Sequence, residues 1–128
     1  MNSVILSVRP KWLDLIFKFI KSIEVRKSAP KLKAPFKVYL YETKQGIGAV
    51  VGECVCFCAE KVGTMDFSSI TAGSCLEISE IREYARGRSV YGWYLSNVIR
   101  YEKPKPLSAF GIDRAPQSWC YVQGGKVA

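Results

Sequence analysis

The chain has 128 residues, 48% hydrophobic and 23% charged, the balance of a single globular domain and not of a disordered segment. It contains no histidine, which excludes Ser-His-Asp and Cys-His nucleophile pairs, H-E-x-x-H zinc sites and histidine-coordinated deaminase centres. A formal charge of +8 favours an anionic partner, most commonly nucleic acid, with a basic surface kept for solubility as the plain alternative.

Residues 4–8, rich in the β-branched types Val4, Ile5 and Val8, read as a first strand. Arg9-Pro10 then opens a helix, since proline is tolerated in the first turn. Lys11, Asp14, Lys18 and Lys21 recur at helical spacing as its polar stripe, while Trp12, Leu13, Leu15, Ile16, Phe17, Phe19 and Ile20 require most of it to be covered. Asp14 and Lys18 interrupt this longest apolar run, so no membrane span is expected. Arg9 and Pro10 end the first apolar stretch too soon for a secretory leader, and the expected location is the cytoplasm.

After Lys21 the period changes to two. Ser22, Glu24 and Arg26 fall on one face of a predicted strand, Ile23 and Val25 on the other. Pro30 and Pro35 bracket a basic loop carrying Lys31 and Lys33. Up to Lys44, ten basic residues face three acidic ones, so +7 of the +8 lies in the first third.

Strands are predicted over 36–43 and 49–62, the second with a bulge at Gly52, around a turn at 45–48. Residues 65–74 read as irregular. A helix is predicted from an N-cap at Ser79 to a stop before Gly87, then a strand over 89–102 that Pro104 and Pro106 end. A short turn or helix at 107–110, a loop through Pro116, a last strand at 119–122 and a frayed tail at 124–128 complete the chain. Several strands with short turns and few helices point to a small, partly closed barrel, mainly β or α+β, with two or three flanking helices in one domain over 1–123.

Five cysteines cannot all pair within the chain. Cys54, Cys56 and Cys58 alternate along a strand and share one face, which suits reduced core thiols better than disulfides. Their C-x-C-x-C spacing also fits zinc poorly, and neither a metal nor a cofactor is expected.

The segment Lys21-Ser22-Ile23-Glu24-Val25-Arg26-Lys27 concentrates the chemistry. In a cleft, Lys21, Glu24 and Arg26 could grip a polar ligand, arginine toward phosphate or a base edge and glutamate toward an exocyclic amine. On an exposed strand the same residues would form a solvated salt bridge worth at most about 1 kcal/mol.

These residues carry a resemblance. Ile5-Leu6-Ser7-Val8-Arg9-Pro10 with Trp12, the Lys21–Lys27 segment, Val38-Tyr39-Leu40-Tyr41-Glu42-Thr43, Val51-Gly52-Glu53, Tyr91-Gly92-Trp93, and Arg114-Ala115-Pro116-Gln117-Ser118-Trp119-Cys120-Tyr121-Val122 resemble the ASCH domain, a relative of the PUA barrel. Short stand-alone members from bacteria and their phages are the most similar type. The family motif G-x-K-x-x-E-x-R places its lysine, glutamate and arginine on Lys21, Glu24 and Arg26, but its glycine falls on Phe19. The tight turn a glycine allows must then be made otherwise, for instance by a longer helix.

The resemblance implies a small β-barrel with a cleft beside the first helix, lined by Lys21, Glu24 and Arg26, that binds RNA or a nucleotide. It also implies an alternative. A branch of very small ASCH proteins hydrolyses the amide of N4-acetylcytidine with a lysine, a threonine and a glutamate. The threonine position corresponds to Glu24 here, leaving Ser22 as the nearest hydroxyl and Glu24 or Glu53 as proton carriers. Trp93, Tyr91 and Trp119 are candidate stacking surfaces for bases, or core; Gln117 and Ser118 either bind ligand or cap the barrel end. A protein-interaction module resting on the apolar helix is the third option.

Overall fold

The computed structural model describes residues 3–122, and the tail expected at 124–128 lies outside them. In chain order the strands are β1 (Ser3–Val8), β2 (Ile23–Arg26), β3 (Phe36–Glu42), β4 (Ala49–Val62), β5 (Val90–Lys105) and β6 (Trp119–Tyr121). The helices are α1 (Pro10–Phe17), α2 (Thr71–Ser74) and α3 (Ile78–Ala85). One sheet runs β2-β5-β4-β3-β1-β6, with β1 parallel to β3 and every other pair antiparallel. The result is the expected α+β architecture, a six-stranded half-barrel with three helices.

Strand β1 is buried on both faces, which is why it reads as a continuous apolar run and not an alternating one. Val4, Leu6 and Val8 join Leu13 and Ile16 of α1 and Val38, Leu40, Cys54, Cys56 and Trp93 in the main core. Ile5 points the other way, into a second cluster with Tyr39, Tyr41, Val50 and Phe110. A third cluster forms where Ile23 and Val25 of β2 meet Phe67, Ile70, Ile81 and Ala85. Cys54 and Cys56 are buried as core side chains, whereas Cys58 is only half-buried.

The bulge expected at Gly52 is present: the β4–β5 register shifts between Val50 and Gly52. A Cβ there would collide with the Ile99 carbonyl and the Phe17 ring, so only glycine lets α1 and β5 approach β4 so closely.

Three expectations are corrected, and the choice left open at Trp93 falls to the core. Residues 65–74 are ordered, as a 3₁₀ helix over Thr64–Ile70 followed by α2. Positions three apart eclipse on a 3₁₀ helix, which lets Phe67 and Ile70 bury together. Helix α3 is capped by Glu77, not Ser79, because Glu77 and Glu80 satisfy each other's backbone N–H groups in a capping box. Strand β5 continues through Pro104 to Lys105. Its neighbour β2 pairs only with Tyr91–Tyr94, so around Pro104 one side of β5 is a free edge where a missing N–H costs nothing. Trp93, a candidate stacking surface, is fully buried: its indole N–H donates to the Ser28 carbonyl at 3.1 Å and its ring packs edge-on against Phe36 and Trp119.

Candidate functional site

Helix α1 stops at Phe17, so it is not lengthened to compensate for the missing glycine. Instead Phe19 itself takes the left-handed conformation, at φ 61°. The Phe19 N–H donates to Ile16 O at 3.0 Å and the Ile20 N–H to Leu15 O at 2.9 Å, the two bonds of a Schellman cap with phenylalanine at C′. A side chain in this region costs about 1–2 kcal/mol. Phe19 is 76% exposed and recovers little by packing. Phe19→Gly is therefore expected to raise stability by about 0.5–1 kcal/mol after the larger unfolded-state entropy of glycine is counted. Urea unfolding checks this, and a loss of stability would contradict it.

The cap turns the chain inward, and Lys21 becomes buried. Its Nζ donates to the Ser74 carbonyl at 2.6 Å, one of the unpaired carbonyls at the end of α2. Gly73 allows α2 to lie this close to β2, because a methyl there would sit 2.5 Å from Ile23 Cδ1. Along β2 the alternation holds: Ile23 and Val25 enter the third cluster, while Glu24 lies opposite Trp93 on the other face.

Lys21, Glu24 and Arg26 come together. Glu24 Oε1 is 3.9 Å from Lys21 Nζ and 3.7 Å from an Arg26 nitrogen, with side-chain exposures of 1%, 7% and 13% for lysine, glutamate and arginine. This is not a solvated surface pair. Those distances are charge contacts and not hydrogen bonds, and Glu24 Oε2 is buried with no hydrogen-bond partner. Burial holds the Lys21 ammonium below its ordinary pKa, against the opposing pull of Glu24.

Arg26 also has a structural job. Its guanidinium donates to the Ser118 carbonyl at 3.3 Å, to Ser118 Oγ at 3.1 Å and to the Ser7 carbonyl at 2.8 Å. Strands β2 and β6 are the two unpaired edges of the sheet. Arg26 thus ties one edge to the chain leading into the other, and Trp119 adds an indole N–H bond to Ser28 Oγ at 3.0 Å. Side chains close what backbone pairing leaves open.

The three ionic residues line one cleft of about 710 Å³. Arg9 and Trp12 wall it from the start of α1, Glu80, Glu83 and Tyr84 from α3, and Gln117 and Ser118 from the loop before β6. Lys21 Nζ sits 5.0 Å from the centre of the Trp12 ring, and Lys27 Nζ 4.9 Å from that of Tyr84. The sequence reading missed both aromatics and the α3 wall. Glu80, Glu83 and Tyr84 are spaced three and four apart, a helical face visible in the sequence without any sign of what it faces.

Other candidates lie elsewhere. Ser22 is exposed, precedes β2 and does not line the cleft, so strand alternation does not carry it onto the Glu24 face. Lys31 and Lys33 are exposed on their loop, also outside the lining. Trp119 is half-buried between Trp93 and Tyr121.

Glu53 does not line the cleft either; it accepts from Lys37 Nζ at 2.9 Å and Tyr101 OH at 2.7 Å. Burial alone would push its carboxyl up, but those two bonds and the lysine charges outweigh it and hold the pKa below the usual carboxylate range. A depressed folded-state pKa gives stability that is present above the unfolded value, about 4.3, and lost as pH falls through the folded one. Glu53→Gln is accordingly expected to flatten the acid limb of the stability–pH curve below about pH 4.3. Parallel acid limbs for variant and wild type would contradict the assignment.

The ASCH domain family model matches residues 6–105. No curated protein matches the chain significantly. Among solved structures, the ASCH protein from Zymomonas mobilis is similar at TM-score 0.84 and 16% identity, covering 98% of this chain and 90% of that one. A serine-to-alanine variant of the same protein gives TM-score 0.85 at 15% identity, with 98% and 91% covered. A tyrosine-to-phenylalanine variant gives 0.85 at 15%, with 98% and 94% covered. At such identity the likeness shows the fold. With the family model spanning most of its length, the chain belongs to the ASCH domain family, PUA-like folds often linked to RNA binding.

Proposed function

We propose that the cleft binds RNA or a nucleotide by taking one base between Trp12 and Tyr84, with Glu24 accepting from its exocyclic amine. The observation that carries this reading is Glu24 Oε2, a buried acceptor with no protein donor on a residue that lines the cleft. Such a group costs about 1–3 kcal/mol to leave unsatisfied, and a ligand amine would remove that cost. The last torsion of glutamate is soft, so turning this oxygen toward a ligand is cheap. Aromatic walls add stacking worth about 1–3 kcal/mol per base. Arg9, Lys27 and Arg86 at the cleft supply charge for phosphate.

Three phosphate contacts on a single strand give a slope of log affinity against log salt of about −2. Fluorescence anisotropy with a labelled RNA oligonucleotide across a salt series measures it, and a flat response contradicts the reading.

A second reading, amide hydrolysis on an acylated nucleoside, is favoured by the lowered Lys21 pKa, since a neutral amine can act as base or nucleophile. Thr43 Oγ1, buried and unpartnered at the same cleft, offers the hydroxyl that position 24 lacks. Incubation with N4-acetylcytidine, wild type beside Lys21→Ala, tests it. Turnover lost in the variant supports hydrolysis, and no turnover in the wild type removes it.

A further inference from the structure

A second hollow of about 490 Å³ adjoins the cleft, and Ser7, Thr43 and Gln117 line both. The two are neighbours across a shared wall. Ser7 Oγ is committed, donating to the Pro116 carbonyl at 2.7 Å. Thr43 Oγ1 is not; it is buried without a hydrogen-bond partner at the junction. Beyond it the second hollow presents Lys44 and Arg114, both exposed and neither ion-paired among the described residues, beside the single acid Asp113.

From this juxtaposition we propose that the second hollow is a subsite for the adjoining nucleotide of a single-stranded polynucleotide. The strand crosses at Thr43, whose hydroxyl bonds the sugar–phosphate backbone, and Lys44 and Arg114 take the next phosphate. The inference rests on the nucleotide reading of the first cleft and deepens it: the ligand is a strand and not a free mononucleotide. A mononucleotide in the first cleft leaves both cations unused, whereas a strand that continues past Thr43 engages them.

The test compares the four ribonucleoside monophosphates with a random-sequence RNA hexamer, by calorimetry at low salt. The wild type is expected to bind the hexamer at least tenfold more tightly than the best monophosphate. Lys44→Ala/Arg114→Ala, on exposed positions that leave the core intact, is expected to erase most of that advantage without changing monophosphate affinity. Thr43→Val is expected to weaken the hexamer more than any monophosphate. Equal affinity for hexamer and monophosphate, or a hexamer advantage untouched by the double substitution, overturns the second subsite while leaving the first cleft standing. If neither hexamer nor any monophosphate binds, both readings fall together.

Discussion

Glu24→Ala is expected to lower nucleotide affinity by roughly 10–100-fold and stability by about 3 kcal/mol. Both effects have one origin. The carboxylate is the counter-charge for Lys21, which has 1% side-chain exposure, and for Arg26, so removing it strands buried cations. It also carries Oε2, a buried acceptor with no protein partner on a residue that lines the cleft. The two roles separate in a double variant. Lys21→Met/Glu24→Leu replaces the buried pair with apolar side chains of similar size, an exchange that is often neutral or stabilising. That protein is expected to regain most of the lost stability and none of the lost binding, as read by urea unfolding beside calorimetric titration. Recovery of binding along with stability would mean that Glu24 matters only to the fold.

Arg26→Ala is expected to be the more damaging to the fold, at about 3–5 kcal/mol. The guanidinium makes three hydrogen bonds, to Ser7 and Ser118, that link the two edges of the sheet, and it faces Glu24 as well. Edge strand β6 has only three residues and pairs with β1 alone, so its backbone ladder is short. Hydrogen exchange should show amide protection falling first around β6 and the preceding loop. Arg26→Lys keeps the charge, but a compact ammonium cannot match a planar fork that reaches separate acceptors, and it should recover less than half of the loss. A stability change below about 1 kcal/mol would place Arg26 among ordinary surface cations.

The sequence revealed β2 best. The change to period two after Lys21 separates Ile23 and Val25 from Glu24 and Arg26, and the structure buries those pairs on opposite faces. The glycine departure at Phe19 was visible too, but its resolution was not. Local propensity argues against phenylalanine at positive φ, and only the two cap bonds together with the docking of Lys21 impose it. The role of Arg26 was illegible for another reason. Two of its acceptors are main-chain carbonyls, of Ser7 and Ser118, and carbonyls leave no mark in residue identity. Trp12 read as helix core and Tyr84 was passed over, because a helical face reveals its own periodicity and not its neighbour. Trp93 sat in a strand with every feature of either role, and its register opposite Glu24, inside the main core, decided the matter.

Carbon-13 NMR of the Glu24 side-chain carboxyl, followed during titration with each ribonucleoside monophosphate, tests the account most directly. Adenine, guanine and cytosine carry an exocyclic amine and uracil does not. The Glu24 signal is expected to move with at least one amine-bearing monophosphate and to stay in place with uridine monophosphate. A Glu24 signal indifferent to all four, while resonances elsewhere respond, would contradict it.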